Sequence, residues 1–365
     1  MRALTKRNDA RTREIGSIFP IGKQDVGPKS GRGLSFDPSV KLYSLCREAL
    51  LALLQVVEVP RKSALLPAYT CSTVIDPFMQ LGWDVAFYSV NMDLSLNLES
   101  LMAKSRDCRP SVAVFHPYYG MDYSASELDA IKALRDEGCL TVEDLTQNLF
   151  APKHEDVFAC RVGSIRKWFP VPDGGFLDSP FAVFDPSQEN ESFYIPQLAA
   201  MRLRFKYFET NDTELKDLSI QLNKYAERHA HESIVTHAIS DYTLIAMEGL
   251  DIDGCIEARR DNFHTLLDGL VDCSKVTLPI RDMNRLVGAP LYFPLFANGD
   301  RASFQSQIAE RSIYAPVLWG VASENVVVDD AVRSIYDRIL AIPCDQRYSR
   351  QDMIRVVEAI RDVYL

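Results

Sequence analysis

Across residues 39–57 the apolar positions Leu42, Leu45, Ala49, Leu53 and Val57 recur every three or four residues, the spacing of one helix face. This predicts the first helix. Four short β-rich runs follow at 64–69, 84–90, 111–115 and 140–143, separated by stretches long enough to be helices. Strands alternating with helices indicate an α/β fold with a parallel sheet.

The helix before the fourth run is the best marked. Ser124 caps it, Glu127 closes a capping box, Leu128, Ile131 and Leu134 form the apolar stripe, and Gly138 ends it. In open parallel sheets ligands bind beyond the carboxyl ends of the strands, which here points to 116–120 and 144–147. A long polar helix is expected over 213–233. From 239 onward the pattern changes to longer helices with strand-like runs at 291–296 and 339–343, and a helix at 302–310 between them. Ser349 and Asp352 start a last helix whose Ile354, Val357, Ile360 and Tyr364 are expected to face inward. The organisation read from this is an extended, unpacked arm over 1–36, a large domain over 37–238 and a smaller α+β domain over 239–365. Gly27, Gly31 and Gly33 belong to the arm, and the Gly31-Arg32-Gly33 stretch lacks the spacing of a phosphate loop.

Composition narrows the function classes. A formal net charge of -10 opposes broad attraction to nucleic acid or anionic membrane. No apolar run nears the ~20 residues that cross a bilayer, and the basic start has no apolar leader segment. The eight cysteines include no C-x-x-C pair, which fits core thiols in a reducing, cytoplasmic setting.

The residues with chemistry to offer fall in order along the chain. Asp144 follows the apolar run ending at Val142-Glu143, so its carboxylate lies at the sheet edge. Gln147 stands three residues on, an amide that donates without adding charge. Lys167 lies in Ser164-Ile165-Arg166-Lys167-Trp168 and is followed by Asp173-Gly174-Gly175, whose glycines would let the backbone pass close to a ligand. A carboxylate, an amide donor and a lysine are what pyridoxal 5'-phosphate (PLP) needs. The acid keeps the pyridine nitrogen protonated, the amide meets the ring's 3' oxygen and the lysine forms a Schiff base.

These blocks, together with Leu66-Pro-Ala-Tyr-Thr-Cys71 and Glu143-Asp-Leu-Thr-Gln147, resemble the DegT/DnrJ/StrS-type aminotransferases over most of the chain from about residue 31. The most specific feature is an Asp-x-x-Gln motif, a lysine beyond it and an acidic-Gly-Gly motif beyond the lysine. The resemblance implies a fold-type I PLP-dependent transferase, with a mostly parallel seven-stranded sheet and a smaller C-terminal domain. It also implies a homodimer, a small-molecule amino donor such as glutamate, and a keto acceptor. It assigns Lys167 to the Schiff base, Asp144 to the pyridine nitrogen, Gln147 to the 3' oxygen and Ser164 to the phosphate.

Three departures mark a divergent member. The family's Ser-Gly-Thr phosphate turn falls on Leu45-Cys46-Arg47, leaving backbone N–H groups at Cys46 and the Arg47 guanidinium for the phosphate. The aromatic residue that stacks on the cofactor falls at Cys71, so His116 or Tyr118 would have to replace it. The asparagine that the family supplies from a partner subunit has no match near Ser240-Asp241.

Plainer readings stand beside these. Lys167 alone would be a surface lysine, Asp144 a helix cap, Gln147 and Ser164 ordinary polar residues, and Arg47 a solvated helix residue. His229, His231 and Glu232 suggest a metal cluster, but residues two apart point to different helix faces, so a solvated helix explains them. Trp168 and Trp319 are pocket or core. The rival functions are a PLP-dependent dehydratase or other lyase, and a non-catalytic protein on the same fold.

Overall fold

The computed structural model describes residues 13–22, 32–232, 234–321, 326 and 329–364. Its centre is a seven-stranded sheet of β1 (Lys41–Tyr43), β2 (Ser63–Pro67), β3 (Asp84–Tyr88), β4 (Val112–Phe115), β5 (Leu140–Asp144), β6 (Cys160–Ser164) and β7 (Gly175–Asp178), in the order β1-β7-β6-β5-β4-β2-β3. Strands β3, β2, β4, β5 and β6 run parallel, and β7 pairs antiparallel with both β6 and β1. The fold is thus the α/β class expected from sequence. β2 and β4 are buried throughout, which is why they read as unbroken apolar runs.

The first helix is shorter than its periodicity suggested. Residues 41–43 form β1, and α1 (Cys46–Val56) begins only after Leu45. Leu42 pairs with Phe176 on β7, so its apolar character serves the sheet. Between the strands come α2 (Ser72–Gln80), α3 (Leu98–Cys108) and α4 (Ala125–Asp136). The expected capping box of α4 is present, with Ser124 and Glu127 each accepting from the other's backbone, and Ile131 and Leu134 buried beneath it.

A pair of long helices, α5 (Glu191–Thr210) and α6 (Thr213–Glu232), follows β7. The expected polar helix matches α6, except that Ser233 lies outside the described residues. Beyond it lie α7 (Asp241–Glu248), α8 (Ile252–Leu270), β8 (Val276–Thr277), β9 (Phe293–Ala297), α9 (Arg301–Ala309), α10 (Asp330–Arg338), β10 (Ile339–Ile342) and α11 (Arg350–Arg361). Strands β10, β9 and β8 form a second, antiparallel sheet.

Two sequence expectations are corrected here. The buried stripe of α11 is Met353, Val356 and Ile360, continued by Val363, while Ile354 and Val357 are half-buried and Tyr364 is exposed. The helix packs against α8, where Val357 lies over Gly269, and that neighbour decides which face is buried. The unpacked arm does not extend to 13–22. Ile15 bridges to Ile313, Ile21 is buried, and Glu14 pairs with Arg204 and Lys216. Gly27 and Gly31 lie outside the described residues.

Candidate functional site

The carboxyl ends of β4, β5 and β6 and the N-termini of α1 and α2 converge on a cavity of about 340 Å³. Its walls include Cys46, Arg47, Asp144, Gln147, Ser164 and Lys167, so the structure gathers every cofactor-binding candidate read from sequence. They come from three separate places along the chain. The parallel topology brings them together, because each strand delivers its last residues to the same edge.

Asp144 ends β5 and is buried. Its Oδ1 accepts from the Thr146 backbone at 2.9 Å, and its Oδ2 lies 3.4 Å from His116 Nδ1. The other His116 nitrogen, Nε2, is 2.8 Å from Thr70 Oγ1. Burial is the largest influence on His116 and pushes its pKa down against the pull of Asp144. It is thus the Nδ1 side of the ring that faces the carboxylate. Sequence reading considered His116 only as a stacking residue, so this contact was missed; a histidine just beyond a strand carries no mark of which carboxylate it will meet.

Gln147 lies in the turn after β5. Its Oε1 accepts from the Tyr119 backbone at 3.0 Å, while Nε2 is buried without a hydrogen-bond partner. A buried amide donor without a partner is costly, about 1–3 kcal/mol, and such groups usually await a ligand or water. Tyr118, the other stacking candidate, is buried with its hydroxyl donating to Tyr69 O, and is not a cavity-lining residue. Trp319 lines the cavity, whereas Trp168 is core, its indole donating to Thr146 O at 3.0 Å.

Lys167 stands in the loop after β6. It lines the same cavity as Cys46, His116 and Glu227. Cys46 is raised by burial first and by the Asp144 charge second, so it stays a thiol. All eight cysteines carry free thiols.

The α1 end of the cavity is basic. The Arg47 guanidinium is buried, donates to Ala230 O at 2.9 Å and lies 3.1 Å from His231 Nδ1. Burial and the neighbouring Arg166 both push its pKa down. Arg166 in turn makes a two-pronged pair with Glu227 of α6, at 2.8 and 3.3 Å. His231 is exposed, as the solvated-helix reading expected, and at the same time lines this cavity beside Arg47.

The Asp173-Gly174-Gly175 motif does other work than expected. A Cβ at Gly175 would collide with the Leu45–Cys46 backbone, so the missing side chain admits the start of α1. Asp173 accepts from Ser240 N at 2.9 Å, from Ser240 Oγ at 2.7 Å and from Thr243 Oγ1, fixing the start of α7. Neither glycine lines the cavity. The motif shapes the site from behind.

A second cavity of about 860 Å³ adjoins the first. Arg166, Lys167 and Glu227 line both.

No family model matches the sequence. No curated protein matches it either. Solved structures do. The sugar aminotransferase CalS13 from Micromonospora echinospora superposes with a TM-score of 0.63 at 18% identity, covering 90% of this chain and 88% of that one. The aminotransferase TlmJ from Streptoalloteichus hindustanus gives 0.66 at 14% identity, covering 95% and 98%. Helicobacter pylori PseC, an aminotransferase involved in the biosynthesis of pseudoaminic acid, gives 0.66 at 11% identity, covering 96% and 99%. A DegT DnrJ EryC1 StrS aminotransferase from Brucella abortus matches at 0.60. With identities this low over nearly whole chains, the protein has the fold of the DegT/DnrJ/EryC1/StrS sugar aminotransferases, carried by a widely diverged sequence.

Proposed function

We propose that the protein is a PLP-dependent aminotransferase that takes an amino group from a donor such as glutamate and passes it to a keto acceptor. The observation that carries this reading is the small cavity, where a lysine, a buried carboxylate and an unpartnered buried amide donor share one wall.

These residues fit the cofactor. Lys167 offers the amine that would hold its aldehyde carbon, Asp144 a carboxylate for the pyridine nitrogen, and Gln147 Nε2 a donor for the 3' oxygen. Ser164, the backbone N–H groups at Cys46 and the Arg47 guanidinium offer donors for the phosphate. When bound, PLP supplies an electron-accepting ring that makes the neighbouring substrate C–H bond acidic. The chain's own part is to hold charge and move protons. Asp144, held in place beside His116, offers its carboxylate to a cationic partner, and Lys167 Nζ moves the proton to and from the substrate carbon. General acid–base work of this kind contributes about 10²–10⁴ in rate.

The same reading takes the protein as a cytoplasmic homodimer built from an arm, a cofactor domain over 37–238 and a smaller domain over 239–365. Supporting it are the free thiols, the two separate sheets, and the exposed Ile195, Phe208, Leu218 and Tyr225 on the α5–α6 pair. Among the described residues no helix is long and apolar enough to cross a membrane.

The test is borohydride reduction of PLP-treated protein followed by peptide mapping. The reduced adduct should fall on Lys167. An adduct on another peptide, or protein that stays colourless, refutes the assignment. Product analysis with and without amino donor separates transfer from dehydration.

A further inference from the structure

We infer that Arg166 is the binding residue for the α-carboxylate of the amino donor, and that Glu227 is its resting partner, displaced when the donor arrives. The inference rests on the aminotransferase reading and goes beyond it by naming the donor subsite.

An α-amino acid carries its carboxylate on the same carbon as the amine it gives up. A carboxylate-binding group must therefore stand close to the amine of Lys167, on the side from which substrate enters. The large cavity is that side, since the small one is filled by the cofactor groups. Three arginines line it: Arg166, Arg259 and Arg347.

Two of these are committed. Arg259 donates to Pro290 O and Leu291 O at 3.0 Å, to Trp168 O at 3.3 Å and to Gln346 Oε1 at 2.8 Å. Arg347 holds buried Asp345 through Nε and Nη2, and its Nη1 donates to Ser17 O and Ile18 O. Freeing Arg259 would strand the buried carbonyls of Pro290, Leu291 and Trp168, and freeing Arg347 the buried Asp345 carboxylate, at about 1–3 kcal/mol for each group left without a partner.

Arg166 differs. Its terminal nitrogens both go to one side chain, Glu227, in the two-pronged geometry that any carboxylate can copy. Arg166 is the residue before Lys167, and both members of the pair border both cavities. A released Glu227 carboxylate is not stranded, because its side chain is only half-buried and within reach of water. When an acceptor without a carboxylate follows, Glu227 returns to Arg166 and the pair is again neutral. One site can thus serve an anionic donor and an uncharged acceptor in turn.

The test is calorimetric binding of 2-oxoglutarate, the keto acid that glutamate leaves behind, to PLP-loaded wild-type protein, Arg166→Met and Glu227→Gln, with cofactor uptake followed by absorbance. Arg166→Met should weaken binding by about 10- to 100-fold while still taking up cofactor. Glu227→Gln should tighten binding severalfold, since the resident competitor has lost its charge. Unchanged binding in Arg166→Met, weaker binding in Glu227→Gln, or a wild-type protein that takes up cofactor yet binds no 2-oxoglutarate overturns the inference. A wild-type protein that takes up no cofactor refutes the aminotransferase reading itself.

Discussion

His116 and Asp144, at the carboxyl ends of neighbouring strands, face each other with 3.4 Å between Nδ1 and Oδ2, both nearly out of contact with water. Thr70 holds the far ring nitrogen, so the imidazole is fixed at both ends. His116→Phe removes the polar nitrogen that faces the buried carboxylate, and a buried polar group left without such a neighbour costs about 1–3 kcal/mol. We expect a lower Tm and weaker cofactor binding. His116→Asn, whose amide can reach toward the same oxygen, should recover part of both. Equal losses in the two variants would show that the ring serves packing alone.

Arg47 is expected to act on the phosphate and on no other part of the cofactor. Arg47→Met should weaken PLP binding by about 10- to 100-fold, the worth of a charge-assisted hydrogen bond. Binding of pyridoxal, which lacks the phosphate, should barely change. Parallel losses for both compounds would remove Arg47 from the phosphate site.

Gly175→Ala tests the motif's structural role. The added Cβ meets the backbone of Leu45 and Cys46 rather than a flexible side chain, so α1 must shift. Overpacking of this kind costs about 1–3 kcal/mol. Thermal unfolding should show that loss, and PLP affinity should fall because the start of α1 moves with it. A variant as stable as wild type would contradict the packing described.

The pH dependence of stability should carry the signature of Glu143. Burial, only partly offset by Arg161, raises its pKa from 4.5 to about 7. Because the folded value is the higher one, its contribution is full below about pH 4.5 and is lost as pH rises through 7. Asp173, raised by burial to about 6, acts in the same direction. Glu143→Gln should flatten the fall in denaturation midpoint between pH 5 and 8. An unchanged slope would mean that Glu143 is charged throughout this range.

The sequence by itself settled the parallel part of the fold and the identity of the chemical groups. The runs that became β2 and β4 were legible because strands buried on both faces must be apolar along their length, and α4 because a capping box is a local signal. Asp144, Gln147 and Lys167 were legible from their order and spacing. Only the tertiary structure decided which groups meet. β1 was hidden in a helical period because Leu42 is apolar for its partner on β7, a contact made far along the chain. The contact of exposed His231 with Arg47 had no local mark, and Gly175 read as a ligand contact until the start of α1 was seen against it. Period and capping are properties of neighbours in sequence, whereas burial, pairing and pKa depend on residues brought together from distant parts of the chain.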